Sequence, residues 1–127
     1  MTPIWIPREM ILAMHLRQLA EHGGGEGVRD EGLLDSALQR AQNKLAYGEP
    51  DIFDLAAAYA FGIARNHPFI DGNKRTALVA SFTFLYVNGW IMTSSQDGNV
   101  EVFLDLASGQ LQEDQLAAWF RNKAKTR

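Results

Sequence analysis

Apolar residues recur along the chain at helical spacing, in blocks parted by polar stretches that contain glycine. Pro7 suits the first turn of a helix, and Leu12, Leu16 and Leu19 follow it at i, i+4 and i+7. That helix is expected to stop at Gly23, with His22 in its last turn. A second is expected after Asp30, with Leu34, Leu38, Ala41 and Leu45 on one face. Asp51 can cap a third, Ile52 to about Asn66, which is nearly all apolar from Ala56 to Phe61. A fourth is expected from about Gly72 to Asn88. Asp97 or Asn99 can cap a fifth that turns Val100, Phe103, Leu104 and Ala107 inward and ends at Gly109. The last, about Gln112 to Lys123, presents Leu116, Trp119 and Phe120. Only Trp90 to Thr93 reads as extended, too short to found a sheet. The pattern predicts an all-α fold: a single compact bundle of about six helices over residues 1–127.

The third and fourth helices lack a broad polar face, so they are expected to form a central buried pair wrapped by the others. The uncharged stretch Thr76 to Gln96 raises the question of a membrane span. Its continuous apolar part, Ala77 to Val87, is interrupted by Ser81 and Thr83 and closed by Asn88-Gly89, well short of the ~20 residues a bilayer requires. A core helix and no membrane association are expected. Residues 1–7 also lack the basic start of a secretory signal.

Composition narrows the functional classes. The length of 127 residues suits one domain, and 46% hydrophobic with 21% charged residues excludes a disordered chain. With 12 Lys+Arg against 15 Asp+Glu the net charge is −3, which argues against direct nucleic-acid binding. The absence of Cys excludes disulfides and thiolate metal sites and fits a reducing cytosol, so a cytoplasmic location is expected.

The segment joining the two apolar helices is the most polar connection in the most apolar region, and it reads His67-Pro68-Phe69-Ile70-Asp71-Gly72-Asn73-Lys74-Arg75. Charge placed there is costly unless it serves a purpose. Gly72 permits a tight turn into the next helix, whose first amides lack partners and sit at the positive end of the helix dipole. Lys74 and Arg75 add a point charge and a bidentate fork beside this anion site. Asp71 offers a hard oxygen ligand, and one carboxylate plus substrate phosphates is a usual way to hold Mg²⁺. Asn73 is expected to orient a phosphate or Asp71, and Phe69 to anchor the loop in the core. His67 can take a proton near neutral pH. A base, a metal ligand, an anion cradle and two cations within nine residues match what phosphoryl transfer needs, which is mostly positioning and charge neutralisation.

His67, Phe69, Asp71, Gly72, Asn73, Lys74 and Arg75 resemble the H-x-F-x-D/E-G-N-G/K-R signature of the Fic/Doc superfamily. Arg29-Asp30-Glu31-Gly32-Leu33-Leu34 and the stretch from Leu106 to Trp119 look like its Doc branch, the death-on-curing toxins. The resemblance implies the toxin of a bacterial type II toxin–antitoxin system. Its expected activity is an ATP-dependent kinase that phosphorylates a threonine of translation elongation factor Tu and so blocks translation. Fic-type members instead transfer AMP, and carry Gly after the motif Asn and a second Arg three residues after the first. Lys74 and Leu78 occupy those places here and favour the kinase. The roles implied are His67 as general base, Asp71 as the Mg²⁺ ligand, and Gly72, Asn73, Lys74 and Arg75 as the ATP-phosphate site. The alternatives are an AMP transferase acting on a protein hydroxyl and a non-catalytic antitoxin-binding adaptor.

Gly23 to Asp30, with four of the 11 glycines, is either a counterpart of the Fic flap that aligns a target or a plain loop. Arg65 is a further phosphate candidate by family analogy, whereas His15 reads as a packed histidine at the edge of an apolar face. The S/T-x-x-x-E-G/N helix that restrains many members is not in this sequence. Restraint is therefore expected from a Phd-like antitoxin docking a segment that folds in an apolar groove.

Overall fold

The structure, a computed structural model, describes all 127 residues, Met1 to Arg127. Six helices follow in order: α1 (Arg8–His22), α2 (Glu31–Ala46), α3 (Ile52–Asn66), α4 (Asn73–Val87), α5 (Gln96–Ser108) and α6 (Glu113–Lys123). Two short strands, β1 (Trp90–Met92) and β2 (Ala124–Thr126), complete the fold. No helix is long and apolar enough to cross a membrane.

α3 is the axis of the molecule and touches α2, α4, α5 and α6. Its small residues explain why: Ala56, Ala57, Ala58, Ala60 and Ala64 are buried and let neighbouring backbones approach. The closest approach is at Gly62, where an added Cβ would sit 2.9 Å from the Ala37 carbonyl oxygen of α2. Asp51 caps α3, its carboxylate accepting from the Asp54 amide while Asp54 reaches back to the Asp51 amide. α4 lies against α3 and contributes Ala77, Ala80, Phe84 and Leu85 to the core, so the expected central pair is present. The N-terminal segment is tied across this pair. Ile4 exchanges two hydrogen bonds with the Asn88 side chain, and the Ile6 amide donates to the Tyr59 hydroxyl at 3.2 Å.

Three local expectations are corrected. On α1 the buried stripe is Ile11, His15 and Leu19, whereas Leu16 is 53% exposed. The period was right but the phase was not, because the docked face includes a histidine that hydropathy ranks as polar. On α5, Ser95 rather than Asp97 or Asn99 supplies the cap, accepting from the Gly98 amide at 3.0 Å. Phe103 and Leu106 are its buried residues, and Val100 and Leu104 are about half exposed. Finally, the extended segment does form a sheet: β1 pairs antiparallel with β2, Trp90 opposite Thr126. Three residues suffice because the chain end supplies the partner strand and Trp90 packs edge-on against Phe53.

Candidate functional site

The loop between α3 and α4 begins with a backbone conformation that favours no ordinary residue. His67 ends α3 at φ 49°, ψ 56°, and it is the one non-glycine residue with positive φ. Left-handed backbone at a side-chain-bearing residue costs on the order of 1–2 kcal/mol. The following Pro68 restricts its predecessor further. What holds it is Arg29, whose guanidinium donates to the His67 carbonyl at 2.8 Å and the Asn66 carbonyl at 3.0 Å. These are carbonyls at a helix C-terminus, which attract a cation both as hydrogen-bond acceptors and through the dipole. The turn leaves the His67 imidazole exposed at the mouth of a cleft, with no hydrogen-bond partner in the chain.

A second strand of chain secures the loop from outside. Val28 and Phe69 form an antiparallel bridge, with the Arg29 amide donating to the Pro68 carbonyl at 2.7 Å and the Ile70 amide to the Gly27 carbonyl at 3.1 Å. The glycines before this bridge are required by contact with Asp71. An added Cβ at Gly24 would meet Asp71 Cβ at 3.0 Å, and one at Gly25 would meet Asp71 Oδ2 at 3.2 Å. The Gly25 amide donates to Asp71 Oδ2 at 2.7 Å, while Oδ1 has no partner in the chain. The Gly23 to Asp30 segment therefore lies on the motif and is not a detached connection.

Inside the loop, Asn73 closes a ring onto Phe69. Its Oδ1 accepts from the Phe69 amide at 3.0 Å and its Nδ2 donates to the Phe69 carbonyl at 3.0 Å. Both residues are buried, and Phe69 is the expected anchor. The Phe69 backbone thus engages Oδ1 and one of the two Nδ2 hydrogens of the Asn73 side chain. Its amide remains available. α4 starts without a side-chain cap, at Gly72 with φ 80°, and the amides of Gly72 to Arg75 donate to no acceptor in the chain. Lys74 and Arg75 are exposed beside them and neither is paired with a carboxylate.

These groups share one open cleft of about 640 Å³. His67, Asp71, Gly72, Asn73, Lys74 and Arg75 all line it, so the site residues expected from the motif are brought to one place. Apolar lining comes from Leu78 of α4 with Val100, Phe103 and Leu104 of α5. Cationic and apolar side chains in one cleft suit a ligand that carries both phosphates and a flat apolar body. Sequence reading missed that lining because it turned Val100 and Leu104 into the core; their i, i+4 spacing with Phe103 between was the available signal. It also missed Arg29, whose role depends on a contact 38 residues away. Arg65 does not line the cleft; its guanidinium lies over the Phe61 ring, 5.1 Å from the centroid.

No three His, Asp or Glu side chains converge anywhere in the molecule. A divalent cation at Asp71 would thus draw one ligand from Oδ1 and the rest from water and phosphate oxygens. That donor set fits Mg²⁺, which keeps its waters and takes few carboxylates.

The family model described as Fic/DOC family matches residues 5–85. A protein named Toxin Doc from Mycolicibacterium smegmatis is 51% identical over 70 residues, covering 53% of each chain. A protein named Protein kinase doc from Escherichia phage P1 is 39% identical over 85 residues, covering 66% of this chain and 68% of its own length. The chain thus matches about half the length of the mycobacterial relative and about two thirds of the phage one.

Proposed function

Since the chain belongs to the Fic/DOC family, we propose that it is a Doc-type toxin: a protein kinase that uses ATP and Mg²⁺ to phosphorylate a threonine of translation elongation factor Tu. The observation that carries this reading is the convergence of His67, Asp71, Lys74, Arg75 and the uncapped start of α4 on one cleft. The relatives named Toxin Doc and Protein kinase doc support it from outside. A toxin of this kind acts in the cytoplasm and is restrained by a Phd-like antitoxin.

Each residue then has a task. The amides of Gly72 to Arg75 receive phosphate oxygens along their free N–H directions, and the side chains of Lys74 and Arg75 neutralise the charge those oxygens carry. Asp71 Oδ1 would hold Mg²⁺, whose charge would offset that of the phosphates. Asn73 keeps the cradle in shape through Phe69. His67 accepts the proton of the acceptor hydroxyl as its oxygen bonds to the terminal phosphorus and the bridging P–O bond to ADP breaks. The Gly27–Ile70 and Val28–Phe69 pairing makes the Gly23 to Asp30 segment a candidate flap that aligns the acceptor peptide over His67.

Incubation of the purified chain with Mg²⁺, elongation factor Tu and ATP labelled at the γ or α phosphate tests the reading. Transfer of γ label alone is expected. Transfer of α label assigns AMP transfer instead, and transfer of neither leaves an adaptor or a different target. His67→Ala should abolish transfer with the fold intact, and Asp71→Ala should remove the Mg²⁺ dependence of nucleotide binding measured by calorimetry.

A further inference from the structure

His15 is the one histidine buried in the molecule, at 2% exposure, and no step above uses it. It sits on α1, 56 residues from the motif, yet touches the loop at three points. Its ring lies flat on Phe69, centroids 3.8 Å apart and planes 9° from parallel. Its Cδ2 would be 3.5 Å from a Cβ added at Gly72. Its Nε2 is 2.7 Å from the Asp71 carbonyl oxygen. A carbonyl oxygen can only accept, so Nε2 carries the proton and donates.

We propose that His15 is a positioning residue of the site: its Nε2–H fixes the Asp71–Gly72 peptide, and through it both the Asp71 carboxylate and the amide cradle at the start of α4. The peptide plane supplies the mechanism. In a trans peptide the C=O and the next N–H point in opposite directions. Drawing the Asp71 carbonyl down onto α1 turns the Gly72 N–H away from α1. Gly72, at φ 80°, has no side chain to hold this orientation by itself, and its amide has no acceptor within the chain. On the far side, the Gly25 amide grips Asp71 Oδ2 at 2.7 Å. Asp71 is therefore clamped by His15 at its backbone and by Gly25 at its carboxylate, which leaves Oδ1 as its free atom. Leu19, one turn on from His15, packs under Gly24 and Gly72 and closes the same seam.

This inference rests on the reading that Asp71 and the α4 amides hold the metal and phosphates, and its test is built to fail separately from that reading. In the wild-type chain, ¹⁵N spectra of the imidazoles should show His15 protonated at Nε2; protonation at Nδ1 alone overturns the proposal whether or not the chain is active. His15→Phe keeps a ring on Phe69 but removes the donor, and His15→Gln restores an N–H at similar reach while giving up the stack. Thermal melts first establish that each variant folds. His15→Phe should lower the turnover of ATP and elongation factor Tu at least tenfold and raise the Mg²⁺ concentration for half-maximal rate several-fold. His15→Gln should recover most of the loss. Hydrogen exchange at the Gly25 amide should accelerate at least fivefold in His15→Phe, a readout that needs no activity. Wild-type exchange and wild-type Mg²⁺ dependence in that variant overturn the proposal, as does a Gln variant no better than Phe. If the wild-type chain transfers no phosphate, the kinase reading falls while exchange at Gly25 still decides the role of His15.

Discussion

Replacing Asn73 with alanine distinguishes a side chain that holds the loop from one that holds a ligand. The side chain is buried, and both its bonds go to Phe69, which is itself 1% exposed. Its removal strands the Phe69 amide and carbonyl, at about 1–3 kcal/mol for each buried group left unpaired. Alanine at the first helical position returns only about 0.5 kcal/mol through better helix propensity. The net expected loss is about 1.5–5.5 kcal/mol, from two stranded groups less the propensity gain. With a denaturant slope of ~2 kcal/mol per molar urea, the unfolding midpoint should fall by about 0.8–2.8 M. The measurement is urea unfolding followed by circular dichroism, without nucleotide or metal. If the side chain's partner were a phosphate, the ligand-free midpoint would stay in place and a difference would emerge only on adding nucleotide. An unchanged ligand-free midpoint therefore refutes the loop-closing role. Asn73→Asp should fall between the two, since a carboxylate still accepts from the Phe69 amide but turns a lone pair toward the Phe69 carbonyl.

Gly62→Ala gains about 1 kcal/mol of helix propensity but drives a methyl to 2.9 Å from the Ala37 backbone, so overpacking of about 1–3 kcal/mol wins. A variant more stable than wild type in urea refutes the α2–α3 packing account. Arg29→Leu frees the Asn66 and His67 carbonyls, and transfer in the proposed kinase assay should drop about tenfold, the size of a ~1.4 kcal/mol effect on a strained turn. A wild-type rate in that variant removes Arg29 from the account of His67. Arg121 donates to Asp51 at 2.8 Å and to Asp54 at 3.3 Å across the start of α3. Burial pushes the Asp51 carboxyl up, but the Arg121 bond and the Asp54 amide outweigh it and leave it below its ordinary 3.8. A lowered folded value means stability that is complete above 3.8 and lost as the pH falls through that lowered value. Arg121→Leu should accordingly reduce stability by about 0.2–1 kcal/mol near neutral pH, as befits an exposed pair. The difference from wild type should shrink as acid titrates Asp51, and a gap that stays constant into strong acid contradicts the pairing.

The number and order of the helices were legible in the sequence because each is a block of helical periodicity bounded by a glycine or a capping side chain. Asp51 caps and α2 begins after Asp30 where expected, and Gly23 and Gly109 end their helices where expected. The candidate site was legible for the same kind of reason: His67 to Arg75 are contiguous, so a loop and a helix start suffice to bring them together. Tertiary structure decided what depends on contacts between distant segments. Periodicity gives the existence of a helix face but not its rotation, which docking sets. Leu16 is therefore exposed while His15 is buried under the motif, and Val100 and Leu104 became a cleft wall. Arg29, Gly25 and His15 lie 38, 46 and 56 residues from the loop atoms they hold, and no local pattern marks such pairs. Asn73 shows the division within one residue: its place in the motif was visible from sequence. Only the folded loop revealed that both ends of its amide are used by Phe69, because a buried peptide group must find a partner wherever the chain brings one.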